Sequence, residues 1–251
     1  MTLEYKNEIT TDEAIELDLK IFHAIKNYRL QSLNKIGVEV IIDRLNLEPF
    51  YNLFSSFNAG NDLPYHNLYH AHCVLLNCYE GGMHSRLSDD ELRGLCAGAL
   101  FHDFNHFGGI LPDDKNIEVA LEGLKIAQRY AVSQHLGLSD ASLKIAEAVI
   151  KVTQYPYIIE PTTIPEQIIR DADLMQAYED TPKELQKQFF GLKVELEVNG
   201  NKISTVDFAK GIKEFHEKIS WNSQWAIEKV SVRNFYQAVV ELVKLVSGGD
   251  K

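Results

Sequence analysis

Nine histidines are spread over 251 residues, and five of them fall in two short stretches. "PYHNLYHAH" (64–72) carries His66, His70 and His72, and "LFHDFNHFGG" (100–109) carries His102, Asp103 and His106. Imidazole nitrogen and carboxylate oxygen are donors that divalent cations accept, so crowding these types together points to a metal site. His66 and His70 are four apart, as are His102 and His106. On a helix that spacing is a rotation of about 40° and puts both side chains of a pair on one face. Leu95, Ala99 and Leu100 lead up to His102, so the His102-Asp103 pair closes an apolar run, where unneutralised charge is costly to bury. A divalent cation supplies the neutralisation. A further carboxylate would complete the shell, and "IIRDADLMQAY" offers Asp171 and Asp173 among Ile168, Ile169, Leu174 and Met175.

The elements that must position these residues read as helices. "TTDEAIELDLKIFHAIKNYRL" opens on Thr11 as an N-cap and spaces Ile15, Leu19, Ile21, Phe22 and Ile25 along one face. "IGVEVIIDRLNLEPFYNLFSSF" is apolar enough for a buried helix or a pair of them. "GNDLPYHN" breaks the pattern as a turn ahead of the first histidine cluster. In "LSDDELRGLCAGALFHDFNHFGG", Ser88 and Glu91 form a capping-box pair and Gly108-Gly109 reads as the stop. Helices ending near Gly137 and Pro156 follow, then a proline-rich loop, "YPYIIEPTTIPEQ", long enough to border a site. Later helices are read in "PEQIIRDADLMQAYED", "TPKELQKQFFGLKVELEV" and the stretch from Asp207 onward. Alternation around Asn199-Gly200 would suit one short β-hairpin near 194–204, although the same glycine fits a helix cap. The expectation is an all-α fold and one domain over residues 1–251.

Composition narrows the function classes. With 36 acidic against 25 basic side chains, the net charge of −11 repels a nucleic-acid backbone and an anionic membrane. A small anionic substrate would need local cations, which metal ions supply. Cys73, Cys78 and Cys96 are odd in number and show no C-x-x-C spacing, so neither a disulfide framework nor an oxidising compartment is expected. The acidic start is no signal peptide and no apolar run spans a bilayer, so the chain is expected to be cytoplasmic.

"YHNLYHA", "FHDFNHFGG" and "RDADLM", in that order, resemble the HD-domain superfamily of metal-dependent phosphohydrolases. Within it they are most similar to the catalytic core of class I 3′,5′-cyclic nucleotide phosphodiesterases, which is all-helical. That family reads Y-H-N-x-x-H-A, then H-D-x-x-H-x-G, then A-D-L. Tyr65, His66, Asn67, His70 and Ala71 match the first motif. His102, Asp103, His106 and Gly108 match the second, and Ala172, Asp173 and Leu174 the third. The motif core is thus 64–174. The resemblance implies that His70, His102, Asp103 and Asp173 ligate one divalent metal, with Asp103 bridging to a second. It further implies His66 as general acid, His106 beside a bridging water and Glu122 orienting metal-bound water.

Mg²⁺, Mn²⁺, Zn²⁺ and Fe²⁺ all accept such N/O sites. The implied activity is hydrolysis of a nucleotide phosphoester, first of all a 3′,5′-cyclic nucleotide, by a metal-bridging hydroxide with His66 protonating the leaving group. Three alternatives share the resemblance: a phosphatase acting on nucleoside mono- or triphosphates or alarmones, a di-iron oxygenase, and a metal- or nucleotide-binding module. The family reads its purine with a glutamine after paired phenylalanines, F-F-x-Q. Here Phe189-Phe190 is followed by Gly191 and Leu192, so the glutamine is missing.

Overall fold

The computed structural model describes residues 34–179, 182–197 and 202–231, which form ten α-helices and two short 3₁₀ turns; no strand occurs among them. The helices are α1 (Asn34–Arg44), α2 (Glu48–Phe57), α3 (Leu68–His84), α4 (Asp89–Phe101), α5 (Asp113–Ser133), α6 (Asp140–Val152), α7 (Ile164–Glu179), α8 (Pro182–Leu196), α9 (Thr205–Glu217) and α10 (Gln224–Ser231). The all-α expectation holds. The helix read from Thr11 onward lies outside the described residues.

Local chemistry sets the boundaries. Ser88 caps α4 with the full reciprocal box: its side chain accepts from Glu91 N, and the Glu91 carboxylate accepts from Ser88 N. Asn67 caps α3, its side-chain oxygen accepting from Tyr69 N and His70 N. The run expected to be one helix or two is two, broken by Asn46 in the left-handed region (φ 50°) between α1 and α2. Of the two readings of "KVELEV", the helical one is correct. Residues 194–196, which a hairpin would have used as a strand, are the last turn of α8, and Asn199-Gly200 lie outside the described residues.

The core is built around α3, α4, α6 and α7, with α4 against α3 and α6 and with α7 lying across both of those. Leu75, Leu95, Leu100, Phe101, Val149, Ile168 and Ile169 are fully excluded from water there. The α4–α6 contact is close because α4 presents glycine. A Cβ on Gly98 would lie 2.1 Å from Val149 Cγ2, inside any allowed van der Waals distance. The residue just past the end of α4, His102, is thereby seated against the centre of the molecule. Arg170 of α7 ties down the proline-rich loop: its guanidinium donates to Val152 O and Ile159 O, both at 2.6 Å, and stacks on the Tyr157 ring at 3.9 Å.

Candidate metal centre

Three helices deliver four donors to one point. His70 projects from the first turn of α3, Asp173 from the middle of α7, and His102 and Asp103 from the turn just beyond α4. His70 Nε2 lies 3.3 Å from His102 Nε2, 3.0 Å from Asp173 Oδ1 and 3.3 Å from Asp103 Oδ2. His102 Nε2 lies 3.0 Å from Asp103 Oδ2 and 3.5 Å from Asp173 Oδ1. Both imidazoles are buried, while the two carboxylates keep a thin edge toward the cavity.

The donors fit a divalent cation. His102 Nδ1 donates to Ala99 O at 2.8 Å, because a carbonyl can only accept. In the neutral ring the lone pair is therefore on Nε2, aimed at a second imidazole nitrogen and two carboxylate oxygens. Four electron-rich atoms converging in a buried space repel one another unless positive charge sits between them. The titration behaviour has the same cause. Burial alone would lower His70, but hydrogen bonds to Asp103 and Asp173 outweigh it and raise its pKa to about 9. His102 is raised too, burial again being overcome by Asp103 and Asp173. Burial opposes the ionised carboxylates, yet the two imidazoles hold Asp103 and Asp173 well below the usual range.

A second group, His66, Asp103 and His106, adjoins the first and shares Asp103 with it. The His66 and His106 rings stack, with centroids 3.9 Å apart. Glu195 of α8 fixes His66: Oε2 takes the Nδ1 proton at 2.5 Å, and Oε1 accepts from the backbone N–H of Tyr65 and of His66. Burial pushes the Glu195 carboxyl upward, but these donors prevail and keep it ionised below the ordinary glutamate range. His106 Nδ1 accepts from Gly108 N at 2.9 Å, and its Nε2 lies 3.0 Å from Asn116 Nδ2 and 3.6 Å from Asp113 Oδ1. Helix α8 comes this close through Gly191, where a Cβ would meet Pro64 O at 2.6 Å.

The residues read from the sequence are brought together with one exception, but not by the local geometry expected. Neither i,i+4 histidine pair shares a helix. His66 precedes the Asn67 cap of α3; α4 ends at Phe101, well before Gly108-Gly109, and leaves His106 in a turn. The exception is Glu122, which stands exposed on α5, 3.3 Å from Arg129 and outside the cavity lining. Asn116 and Asp113, earlier on the same helix, reach the site instead. Asp173 is the carboxylate of its pair that faces the His/Asp cluster. Asp171 is buried on another side of α7, where it accepts from the backbone and side chains of Asn222 and Ser223 ahead of α10.

His72, the third histidine of the first stretch, is half-buried against Tyr51 away from the cluster, and burial lowers its pKa to about 4. Glu195 was not read as a site residue. It lies 129 positions from His66, and its one sequence signal is a carboxylate four residues after a glycine in an apolar stretch. No protein-family model matches the chain, and no curated protein matches it either.

Proposed function

We propose that this protein is a metal-dependent phosphoric ester hydrolase acting on a nucleotide, with a 3′,5′-cyclic nucleotide phosphodiester as first choice. One observation carries the reading: a histidine clamped by a buried glutamate stands at the edge of a buried His/Asp cluster suited to divalent cations. The order His70, His102-Asp103, Asp173 along the chain supports kinship with HD-domain phosphohydrolases.

His70, His102, Asp103 and Asp173 would hold one cation, and Asp103, common to both convergent groups, is the carboxylate that a pair of ions would share. Bound divalent ions supply a water of lowered pKa and positive charge for the phosphoryl oxygens. The chain's own groups do the rest. Because Glu195 takes the Nδ1 proton, the proton that His66 delivers to the departing ribose oxygen leaves from Nε2. Tyr65, partly buried beside the same carboxylates, keeps its hydroxyl protonated: burial raises its pKa, and Asp173 and Asp103 add to that. Among the described lining residues of the cavity none is Lys or Arg. That supports an ester with a single phosphoryl group over a triphosphate, whose extra charge would face no cation from the protein.

The test is chromatographic product analysis after incubating metal-loaded protein with cyclic mononucleotides, nucleoside monophosphates and deoxynucleoside triphosphates. Asp103→Asn serves as the blank. Metal-dependent conversion of a cyclic nucleotide to its monophosphate is expected. Turnover of a triphosphate alone would move the substrate, and activity persisting in Asp103→Asn would sink the site assignment.

A further inference from the structure

The proline-rich loop between α6 and α7 puts two phenols on the wall of the cavity over the His/Asp cluster. The rings of Tyr155 and Tyr157 meet edge-on with centroids 5.6 Å apart, but they differ in depth. Tyr155 is 57% exposed and stands at the rim, whereas Tyr157 is half-buried. Arg170 holds Tyr157 in place: its guanidinium carbon lies 3.9 Å from the ring centroid, and Val152 O and Ile159 O fix the guanidinium in turn. Arg170 is not among the lining residues, so what this pair presents to the cavity is the phenol and not the cation.

The ring is fixed, yet its hydroxyl has no work in the fold: no hydrogen bond joins it to any described residue. Burial raises its pKa above the ordinary phenol value and the Asp173 charge raises it further, so the hydroxyl lies within electrostatic reach of the cluster. A half-buried donor on a cavity wall takes its acceptor from water or from a ligand. We propose that the Tyr157 hydroxyl donates to a non-bridging oxygen of a phosphoryl group seated at the His/Asp cluster. The inference rests on the phosphoester reading above and adds to it a substrate-binding residue. Among the described lining residues none is Lys or Arg, so neutral donors must supply whatever contacts the protein itself makes to that anion. A phenol suits the position. It donates one hydrogen bond to an anionic oxygen, and it carries no positive charge that would compete with a metal ion for Asp173.

Hydroxyl and ring can be tested apart. Tyr157→Phe keeps the ring on Arg170 and removes an oxygen without a protein partner, so the thermal midpoint and the Mn²⁺ affinity should stay at the parent's values. Inorganic phosphate, titrated calorimetrically into the Mn²⁺-loaded full chain, should bind Tyr157→Phe roughly 10- to 100-fold more weakly than the parent, the range of a hydrogen bond to a charged group. Tyr155→Phe, altered at the rim, should bind phosphate within about twofold of the parent. Hydrolysis of cyclic AMP is followed on the same proteins, with kcat/KM of Tyr157→Phe falling by a factor similar to that for phosphate.

Phosphate carries no nucleoside, which keeps the two readings apart. Weakened phosphate binding in Tyr157→Phe, with cyclic AMP untouched by the parent, upholds the hydroxyl contact and counts against the nucleotide reading alone. Phosphate held equally by the parent and Tyr157→Phe overturns the inference even if that variant hydrolyses cyclic AMP poorly, because the hydroxyl would then serve the nucleoside. Absence of phosphate binding in the parent overturns it too, as does an equal loss in Tyr155→Phe. A lowered thermal midpoint or Mn²⁺ affinity in Tyr157→Phe would make the hydroxyl a structural group and overturn it likewise.

Discussion

Protons and metal should compete for the same atoms, and the competition can be sized. His70 titrates near 9 in the folded chain, against about 6.5 when unfolded, because Asp103 and Asp173 face it inside a buried space. A histidine raised in this way stabilises the metal-free fold fully below about pH 6.5, and the contribution disappears as pH climbs through 9. For this one group the difference is worth about 3 kcal/mol. A cation takes the opposite side, since it binds the imidazole lone pair. At pH 7 it must displace a proton held about two pH units too tightly, which weakens the apparent affinity roughly 100-fold relative to pH 9 and above. The assay is the thermal midpoint of the chelator-treated protein with and without Mn²⁺ at intervals from pH 6 to 9. Calorimetry in two buffers of different ionisation enthalpy counts the protons released. The metal-free midpoint should fall across the window while the Mn²⁺-induced gain grows, with at least one proton released at pH 7. A metal-induced gain independent of pH, with no proton released, would refute the reasoning, because Mn²⁺ would then be binding somewhere other than these imidazoles.

Other expectations follow from single contacts. Glu195→Gln should keep metal affinity unchanged and reduce kcat roughly 10- to 100-fold, most for substrates with poor leaving groups, as read from a leaving-group series. Gly98→Ala should lower stability by about 1–3 kcal/mol in chemical denaturation, because its methyl would collide with Val149 on α6. Glu122→Ala should leave activity and metal content within error of the parent, since that side chain pairs with Arg129 outside the cavity; a large loss would return it to the site.

The candidate metal donors were legible because they are concentrated: His70, His102 and Asp103 come from two short segments, and residue type alone marks them. Their local geometry was not. Helical spacing was read through Asn67 and Phe101, where capping and the end of α4 interrupt it, so the histidine pairs meet through tertiary packing and not along a helix. Residue type and spacing left Asp171 and Asp173 open, and the family resemblance chose Asp173; positions two apart on a helix point in nearly opposite directions, and the packing of α7 against α3 turns Asp173 to the His/Asp cluster. Glu195 was invisible for a related reason. Its partner is 129 residues away, and what brings them together is the absence of a side chain at Gly191. The capping box at Ser88, a purely local signal, was read correctly in full.

The origin of the four donors has a further consequence. His70 and His102 are 32 residues apart, and His70 and Asp173 are 103 apart, so a cation gripping them would tie three helices across long loops. In effect it would be a removable cross-link. The three cysteines are buried and free, so no disulfide performs that service. Closing loops of this length removes conformational freedom from the unfolded chain worth roughly 3–5 kcal/mol in disulfide-bonded proteins. An ion held there would then also be a rivet of the fold, and stripping it would shorten the lifetime of the folded protein.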